Sequence, residues 1–180
     1  MPLSNKNSVS ARLQAMADEG RSSTRSLSHQ LASADYGQLS QQLEGLTSGE
    51  KDRVANLANC AALLWQGMPA INWVGFYLLK RNTLVLGPFQ GKPACSRIEV
   101  GSGVCGLAAQ MLKVVIVGNV HEFPGYIACD LSSRSEIVLP LILDGRLIGL
   151  LDIDSPEIDR FDHIDQQGLE RIVQVLIAQL

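Results

Sequence analysis

The chain has 180 residues, with 15 Lys and Arg against 18 Asp and Glu, so its formal net charge is -3. Apolar residues make up 46% of it, which suits a folded domain and excludes a disordered chain. The small negative charge gives no electrostatic basis for binding nucleic acid or anionic lipid, and no apolar run approaches the roughly 20 residues of a membrane span. We therefore expect a soluble, cytoplasmic protein with neither nucleic-acid nor membrane partners.

Residues 1–36 are rich in serine and poor in apolar side chains, and we predict that they form a mobile polar arm. Serine and arginine would also suit an organelle-targeting peptide, although the acidic residues Asp18 and Glu19 argue against that alternative. The composition changes at Gly37, and residues 37–180 are predicted to form a single domain.

Two helices are predicted at the start of this domain, over Gln38–Leu46 and Lys51–Met68. The segment Ile71–Leu79 is rich in β-branched and aromatic residues, which predicts a strand, and Thr83–Leu86 is predicted to be its hairpin partner. A stretch punctuated by glycine and proline follows, in which a short helix is expected over Val104–Leu112.

The second half of the domain is predicted to contain a strand over Lys113–Val117 and a long irregular segment over His121–Ser135. Two further strands are expected at Glu136–Leu143 and Arg146–Asp154. They are joined by Asp-Gly, a dipeptide typical of tight hairpin turns.

The last helix is predicted from one apolar stripe, and Asp162 with Asp165 three residues on resembles an acidic cap at its start. The stripe consists of Leu169, Ile172, Val173, Leu176, Ile177 and Leu180. Helices at both ends with hairpin-linked strands between them predict an α+β fold. We expect a central antiparallel sheet with the N- and C-terminal helices packed on one face and a loop-covered pocket on the other.

Carboxylates stand out at the end of the last predicted strand. Asp152 and Asp154 are two residues apart, so on a strand both side chains point to one face, and Glu136 begins the adjoining strand. One interpretation is that the strand simply ends there and both face water. The other is a partly buried acidic cluster that binds a small cation such as an ammonium group, or acts as a general acid.

The chain has four cysteines but no CxxC pair, and its three histidines are scattered, which argues against a structural zinc site. Cys60 falls in the second helix and is interpreted as a packing residue. Cys95, Cys105 and Cys129 fall in the loop-rich middle, where thiols more often carry function. Metal binding by these three cysteines together with His121 is an alternative, but the spacing of the four residues matches no recognised metal-binding motif.

Trp73 and Tyr77 are four residues apart on the first predicted strand and therefore share a face. Such a pair is more often part of the core. It would equally suit the wall of a small apolar pocket, where the face of a tryptophan also attracts positive charge.

Six segments resemble those of the free methionine-(R)-sulfoxide reductases, a family of stand-alone GAF-domain enzymes. They are INWVGFYLL (71–79), GPFQGKPACSRI (87–98), GVCG (103–106), HEFPGYIACD (121–130), SRSEIVLPL (133–141) and LIGLLDIDSPEIDRFD (147–162). The resemblance runs from about Tyr36 to the C-terminus and implies a GAF-like fold. It is compatible with a homodimer.

The resemblance also implies a reaction, the reduction of free L-methionine (R)-S-oxide to L-methionine. Cys129 would attack the sulfur and become a sulfenic acid, which Cys95 would resolve as a disulfide. Cys105 would be an auxiliary thiol or an alternative disulfide partner. Thioredoxin would restore the thiols, and no metal or organic cofactor would be needed.

The acidic and aromatic residues also take roles by resemblance. Glu136 and Asp154 would bind and polarise the sulfoxide oxygen, and Asp152 would suit the ammonium group of the substrate. Trp73 and Tyr77 would line the pocket. This reading requires the sulfurs of the attacking and resolving cysteines to meet at the mouth of a chamber with an acidic floor and an indole wall.

Two other classes of function stay open. A non-catalytic GAF sensor would bind a small molecule or a cyclic nucleotide, and it would leave the three loop cysteines without a role. A thiol switch would pair Cys95 with Cys129 to alter a partner interface, without any small-molecule substrate.

Overall fold

A computed structural model describes residues 34–180. The predicted polar arm, residues 1–36, lies outside the described part except for its last three residues. Of these, Tyr36 begins the first helix and is buried, and its hydroxyl donates a 2.6 Å hydrogen bond to Asp165 in the last helix. This contact ties the start of the described chain to its end.

Four α-helices, one short 3-10 helix and six strands form between residues 34 and 180. The helices are α1 (Tyr36–Thr47), α2 (Arg53–Gly67), α3 (Gly103–Met111) and α4 (His163–Ile177), with the 3-10 helix at Val120–Glu122. The strands are β1 (Trp73–Lys80), β2 (Thr83–Gly91), β3 (Arg97–Glu99), β4 (Val115–Val117), β5 (Ser135–Leu143) and β6 (Arg146–Ser155).

The predicted helices are all present, and their caps explain where they begin. The Asp52 carboxylate accepts hydrogen bonds from the backbone N–H groups of Val54 and Ala55, so α2 begins after it. Asp162 and Asp165 form the reciprocal acidic cap of α4 that the sequence indicated.

The strands form one antiparallel sheet, as predicted, and their order in it is β3-β2-β1-β6-β5-β4. The extent of β2 differs from the prediction, because β2 continues past Leu86 to Gly91 and pairs with β1 on both sides of a register shift between Gly75 and Tyr77. A side chain at Gly75 would collide with Phe89, so the glycine lets β2 lie close to β1 there. The edge strand β3 is an element that the sequence did not predict.

The main core lies between one face of the sheet and the terminal helices. Helices α2 and α4 pack on this face and α1 packs against both helices, which confirms the predicted layering. Val74 and Phe76 point from β1 into this core and are fully buried. Their neighbours Trp73 and Tyr77 therefore point to the opposite face, as strand geometry requires.

A second, smaller core lies on that opposite face, beneath α3 and the loops. None of the helices between residues 34 and 180 has the length and continuous apolar surface that a bilayer span requires.

Candidate active site

Three carboxyl groups form the floor of a recess on the loop-covered face. Glu136 lies directly opposite Asp154 in the β5–β6 pairing, and Asp152 is two residues before Asp154 on the same face of β6. Glu136 and Asp152 are each 6% exposed, and Asp154 is half-buried. The structure therefore brings the three predicted carboxylates together, and β6 does not end in solvent.

Burial is the main cause of the raised pKa values of the three carboxyl groups in this cluster. It raises the pKa of Glu136 well above its usual range, and the charges of Asp152 and Asp154 raise it further. Burial also raises the pKa of Asp152 to about 7, against hydrogen bonds from Cys105 and Glu136 that lower it. The pKa of Asp154 is raised for the same reason, with Asp152 adding to the rise. The cluster therefore holds protons at neutral pH.

Trp73 and Tyr77 form the wall above this floor, with ring centroids 6.0 Å apart. The polar group of each of these two side chains donates a hydrogen bond to the backbone of the segment that carries Cys95. The indole Nε1–H donates to the carbonyl oxygen of Lys92 at 3.1 Å, and the Tyr77 hydroxyl donates to the carbonyl oxygen of Cys95 at 3.0 Å. The pair therefore lines the recess and also holds the backbone of the segment that carries Cys95.

A disulfide joins Cys95 and Cys129, which are separated by 34 positions in sequence, and their Cα atoms are 5.5 Å apart. Both residues are half-buried, and Cys129 lines the recess. The pairing implied by the resemblance is therefore confirmed. The metal set of three cysteines with His121 is not formed, because two of its thiols are bonded to each other.

Cys105 differs from these two cysteines. It lies in α3 and is 4% exposed, so the interpretation of it as a loop cysteine is wrong. Its Sγ lies 3.8 Å from Oε1 of Glu136, and burial, with the nearby carboxylates, raises the pKa of the thiol well above its usual range. Cys60 is a packing residue of α2, as predicted, and burial raises its pKa to about 12.

The loop that carries Cys129 is held by polar contacts that the sequence did not indicate. Asn72 Nδ2 donates to Ser133 Oγ at 3.1 Å and lies 3.4 Å from Oδ2 of Asp130. Lys92 forms an ion pair with Asp130 at 3.2 Å. The N–H of Ser132 and then Lys92 lower the pKa of Asp130, so this carboxylate stays charged beside the disulfide.

The recess is a small cavity of about 40 Å³ that is partly open to solvent. Its remaining lining includes Ile98 and Val104 from β3 and α3, and Tyr126 from the loop before Cys129. Tyr126 lies in HEFPGYIACD, three residues before Cys129, and its place in the lining was not predicted.

The sequence profile of the GAF domain matches residues 57–176. The free methionine-R-sulfoxide reductase of Escherichia coli is 52% identical over 141 residues, which cover 78% of this chain and 86% of that protein. The enzyme of the same name from Saccharomyces cerevisiae is 44% identical over 147 residues, with 77% and 82% covered. The chain belongs to the free methionine-R-sulfoxide reductase family. The GAF-like α+β fold is thereby confirmed.

A solved member of the free methionine-R-sulfoxide reductase family agrees with this assignment. The structure of fRMsr of Staphylococcus aureus in complex with substrate superposes with a TM-score of 0.79 at 48% identity. The match covers 82% of this chain and 96% of that chain.

Proposed function

We propose that this protein reduces free L-methionine (R)-S-oxide to L-methionine, with Cys129 as the attacking thiol and Cys95 as the resolving thiol. The observation that carries the proposal is the Cys95–Cys129 disulfide, whose Cys129 lines a recess with an acidic floor and an aromatic wall. Membership of a family whose E. coli and yeast members bear this activity in their names supports it.

The lining of the recess suits the parts of this substrate. The apolar faces of Trp73 and Tyr77 suit the methyl and methylene groups, and the indole face also favours sulfur as it gains positive character. Asp152 suits the ammonium group. Its buried Oδ1 has no hydrogen-bond partner within the described chain, so an acceptor is available there.

The first step transfers one oxygen atom. The thiolate of Cys129 attacks the sulfoxide sulfur, and the oxygen takes a proton from the carboxyl pair Glu136 and Asp154. Oxygen is then transferred to the cysteine, which leaves methionine and a Cys129 sulfenic acid. The sulfoxide gains two electrons and the cysteine sulfur loses two. The raised pKa values of both carboxyl groups support their role as the proton source at neutral pH.

The second step forms the disulfide. The Cys95 thiol attacks the sulfenic sulfur and displaces water, which takes up the transferred oxygen. Two thiols of an external dithiol protein, proposed to be thioredoxin, then reduce the disulfide by exchange and become a disulfide themselves. The cycle consumes one sulfoxide and one dithiol and needs neither a metal nor an organic cofactor. Cys105 is proposed as an auxiliary thiol. A homodimer and a cytoplasmic location stay predictions.

The test is an assay with purified protein, thioredoxin, its reductase and racemic free methionine sulfoxide, in which each epimer remaining is quantified. We expect loss of the R epimer alone, and no loss with Cys129→Ser. The matched control is Cys60→Ser, which replaces a thiol outside the recess and is expected to keep activity.

Two results would reject the proposal. Full activity in Cys129→Ser would remove the attacking thiol from the mechanism. No consumption of either epimer by the folded wild-type protein, together with tight binding of a cyclic nucleotide, would favour the non-catalytic GAF sensor.

A further inference from the structure

Cys105, Glu136 and Asp152 form a compact set of ligand atoms, and the two steps of the proposed reduction cycle do not use its sulfur. One atom from each residue, the thiol sulfur and one oxygen of each carboxyl group, lies within 4.8 Å of the other two. The three residues come from α3, β5 and β6, and all are more than nine-tenths buried. Packing of three separate elements therefore fixes the set in place.

The thiol distinguishes this set from a site for an ammonium group alone. Oxygen acceptors are sufficient for an ammonium ion, and the Cys95–Cys129 disulfide is complete without a third cysteine. A thiolate together with carboxylates is a donor set of borderline divalent cations, and of Zn²⁺ in particular.

The spacing of the donor atoms also suits zinc. Tetrahedral Zn²⁺ with the usual bond lengths places a thiolate sulfur and a carboxylate oxygen roughly 3.6 Å apart. Cys105 Sγ and Glu136 Oε1 are 3.8 Å apart. Oδ1 of Asp152 is buried and has no hydrogen-bond partner among residues 34–180, so a ligand atom at the recess is unused. Small side-chain rotations would complete three protein ligands.

We propose that Cys105, Glu136 and Asp152 bind Zn²⁺, with water in a fourth position that faces the recess. Binding releases the thiol proton of Cys105 and any protons held by the two carboxyl groups, so three anionic ligands surround the cation. The zinc ion offsets the cost of burying these charges together. Because the fourth position opens to the recess, the site has the open coordination of exchangeable zinc rather than the closed shell of a structural site.

This site has a consequence for activity, which rests on the proposed function. Zinc would occupy Asp152, the residue proposed for the substrate ammonium group, and Glu136, a residue of the proposed proton source. Zn²⁺ is therefore expected to inhibit competitively with methionine sulfoxide. Inhibition by this route differs from general thiol capture, because it does not require the thiols of Cys95 or Cys129.

The test uses the oxidised protein, so that Cys95 and Cys129 cannot bind metal. In a Cys60→Ala variant the single remaining thiol is that of Cys105. Titration with Co²⁺ is expected to give the near-ultraviolet charge-transfer band of a cobalt–thiolate bond, saturating at one ion per chain. One equivalent of Zn²⁺ is expected to abolish the band. A folded protein that gives no such band overturns the proposal.

Zinc affinity, measured by competition with a chromophoric chelator, then tests the carboxylate ligand. Asp152→Asn in the same background is expected to weaken binding by about tenfold or more, since even outer-shell changes cost that much. Asp144→Asn, at the exposed β5–β6 turn, is the matched control and is expected to keep the affinity of the parent. Equal affinity in all three proteins overturns the proposal, as does an equal loss in both variants.

These measurements need no turnover, so they are independent of the proposed reductase activity. Zinc binding in a protein that consumes no methionine sulfoxide would leave the site standing and reject the function. Turnover of the sulfoxide without the cobalt–thiolate band would do the reverse.

Discussion

Trp73 on β1 lies directly opposite Asp154 on β6, so the indole wall and the acidic floor of the recess meet at one register position of the sheet. A slip of one residue in this pairing would turn every side chain of the slipped strand to the other face. The helix-side core, which buries Val74 and Ile153 completely, therefore also fixes the geometry of the recess. Strands β1 and β6 therefore contribute both to the stability of the fold and to the geometry of the recess.

Replacement of Glu136 by Gln is expected to slow sulfoxide reduction strongly. The amide keeps the shape of the side chain but cannot give up a proton, and the loss of a positioned general acid typically costs about 10²- to 10⁴-fold. The measurement is single-turnover formation of methionine by the reduced protein. Glu99→Gln, at the exposed edge of the sheet, is the matched control and should react at the wild-type rate. Wild-type kinetics in the Glu136→Gln variant would exclude Glu136 as the proton source.

Replacement of Tyr77 by Phe is expected to separate the two steps of the cycle. The ring that lines the recess is kept, whereas the hydrogen bond that holds the carbonyl of Cys95 is lost. One hydrogen bond is worth about 1 kcal/mol, so disulfide formation should slow by roughly fivefold while formation of the first methionine changes less. The readout is the sulfenic acid trapped by dimedone during a single turnover.

The matched control for that experiment is Tyr36→Phe. This change also removes a buried tyrosine hydroxyl, but one that bonds Asp165 in the helix-side core, whereas Cys95 packs against the smaller core on the other face of the sheet. It should lower stability without any accumulation of sulfenic acid. Equal trapping in the two variants would mean that the Tyr77 hydroxyl does not position Cys95.

Asp152→Asn is expected to stabilise the folded protein at alkaline pH. The pKa of Asp152 is raised by burial to about 7 in the folded state, above its ordinary value. The unfolded chain therefore loses this proton first, and stability falls as pH rises from about 4 to about 7. Asparagine does not ionise in this pH range. The Asp152→Asn variant should therefore have a free energy of unfolding on the order of 2 kcal/mol higher than that of wild type at pH 8, and little difference at pH 4.

Urea denaturation at the two pH values provides that measurement. Asp144→Asn in the exposed turn is the control and is expected to leave the pH dependence unchanged. A variant at position 152 that is less stable than wild type at pH 8 would contradict the prediction, since it would mean that the carboxylate is stabilised rather than strained by its surroundings. A gain in stability by loss of a site carboxylate would be a trade of stability for function.

Asn72→Asp is expected to loosen the loop that carries Cys129. The change is nearly isosteric, but it replaces the amide donor by a negative charge beside Asp130 and removes the bond to Ser133. Disulfide formation should slow several-fold, and limited proteolysis should cut the loop faster in the reduced protein. Asn82→Asp, in the exposed β1–β2 turn, serves as the control. If disulfide formation and proteolysis both proceed at wild-type rates in the Asn72→Asp variant, the amide of Asn72 does not position the loop that carries Cys129.

Local patterns in the sequence are sufficient for most of the fold. The aromatic and β-branched run of β1, the Asp-Gly turn between β5 and β6, and the acidic cap of α4 each have a short-range cause, and all three are present. The extension of β2 beyond Leu86 has no such cause, because Gly87 and Pro88 lie at a register shift and only the pairing of Phe89, Gln90 and Gly91 with β1 continues the strand. The short edge strand β3 depends on the same long-range pairing.

The candidate site, like the fold, has some features that local sequence patterns predict and others that depend on long-range packing. Period-two spacing predicts that Asp152 and Asp154 share a face, and the resemblance supplies the partnership of Cys95 with Cys129. Neither source indicates that the Trp73 indole N–H and the Tyr77 hydroxyl hold the backbone of the Cys95 segment, because these bonds join positions 18 or 19 residues apart. The burial of Cys105 likewise depends on how α3 packs on the sheet.

Trp73 and Tyr77 both line the recess and hold the backbone of the Cys95 segment, which limits how the substrate specificity of this protein can be redesigned. Widening the chamber at Trp73 or Tyr77, to admit bulkier amino-acid sulfoxides, would also release the backbone anchors of the resolving cysteine. Ile98 and Val104 line the same chamber and carry no polar group, so trimming them adds volume without cutting an anchor. Laboratory evolution towards larger substrates should therefore accumulate its first tolerated changes on the β3–α3 side.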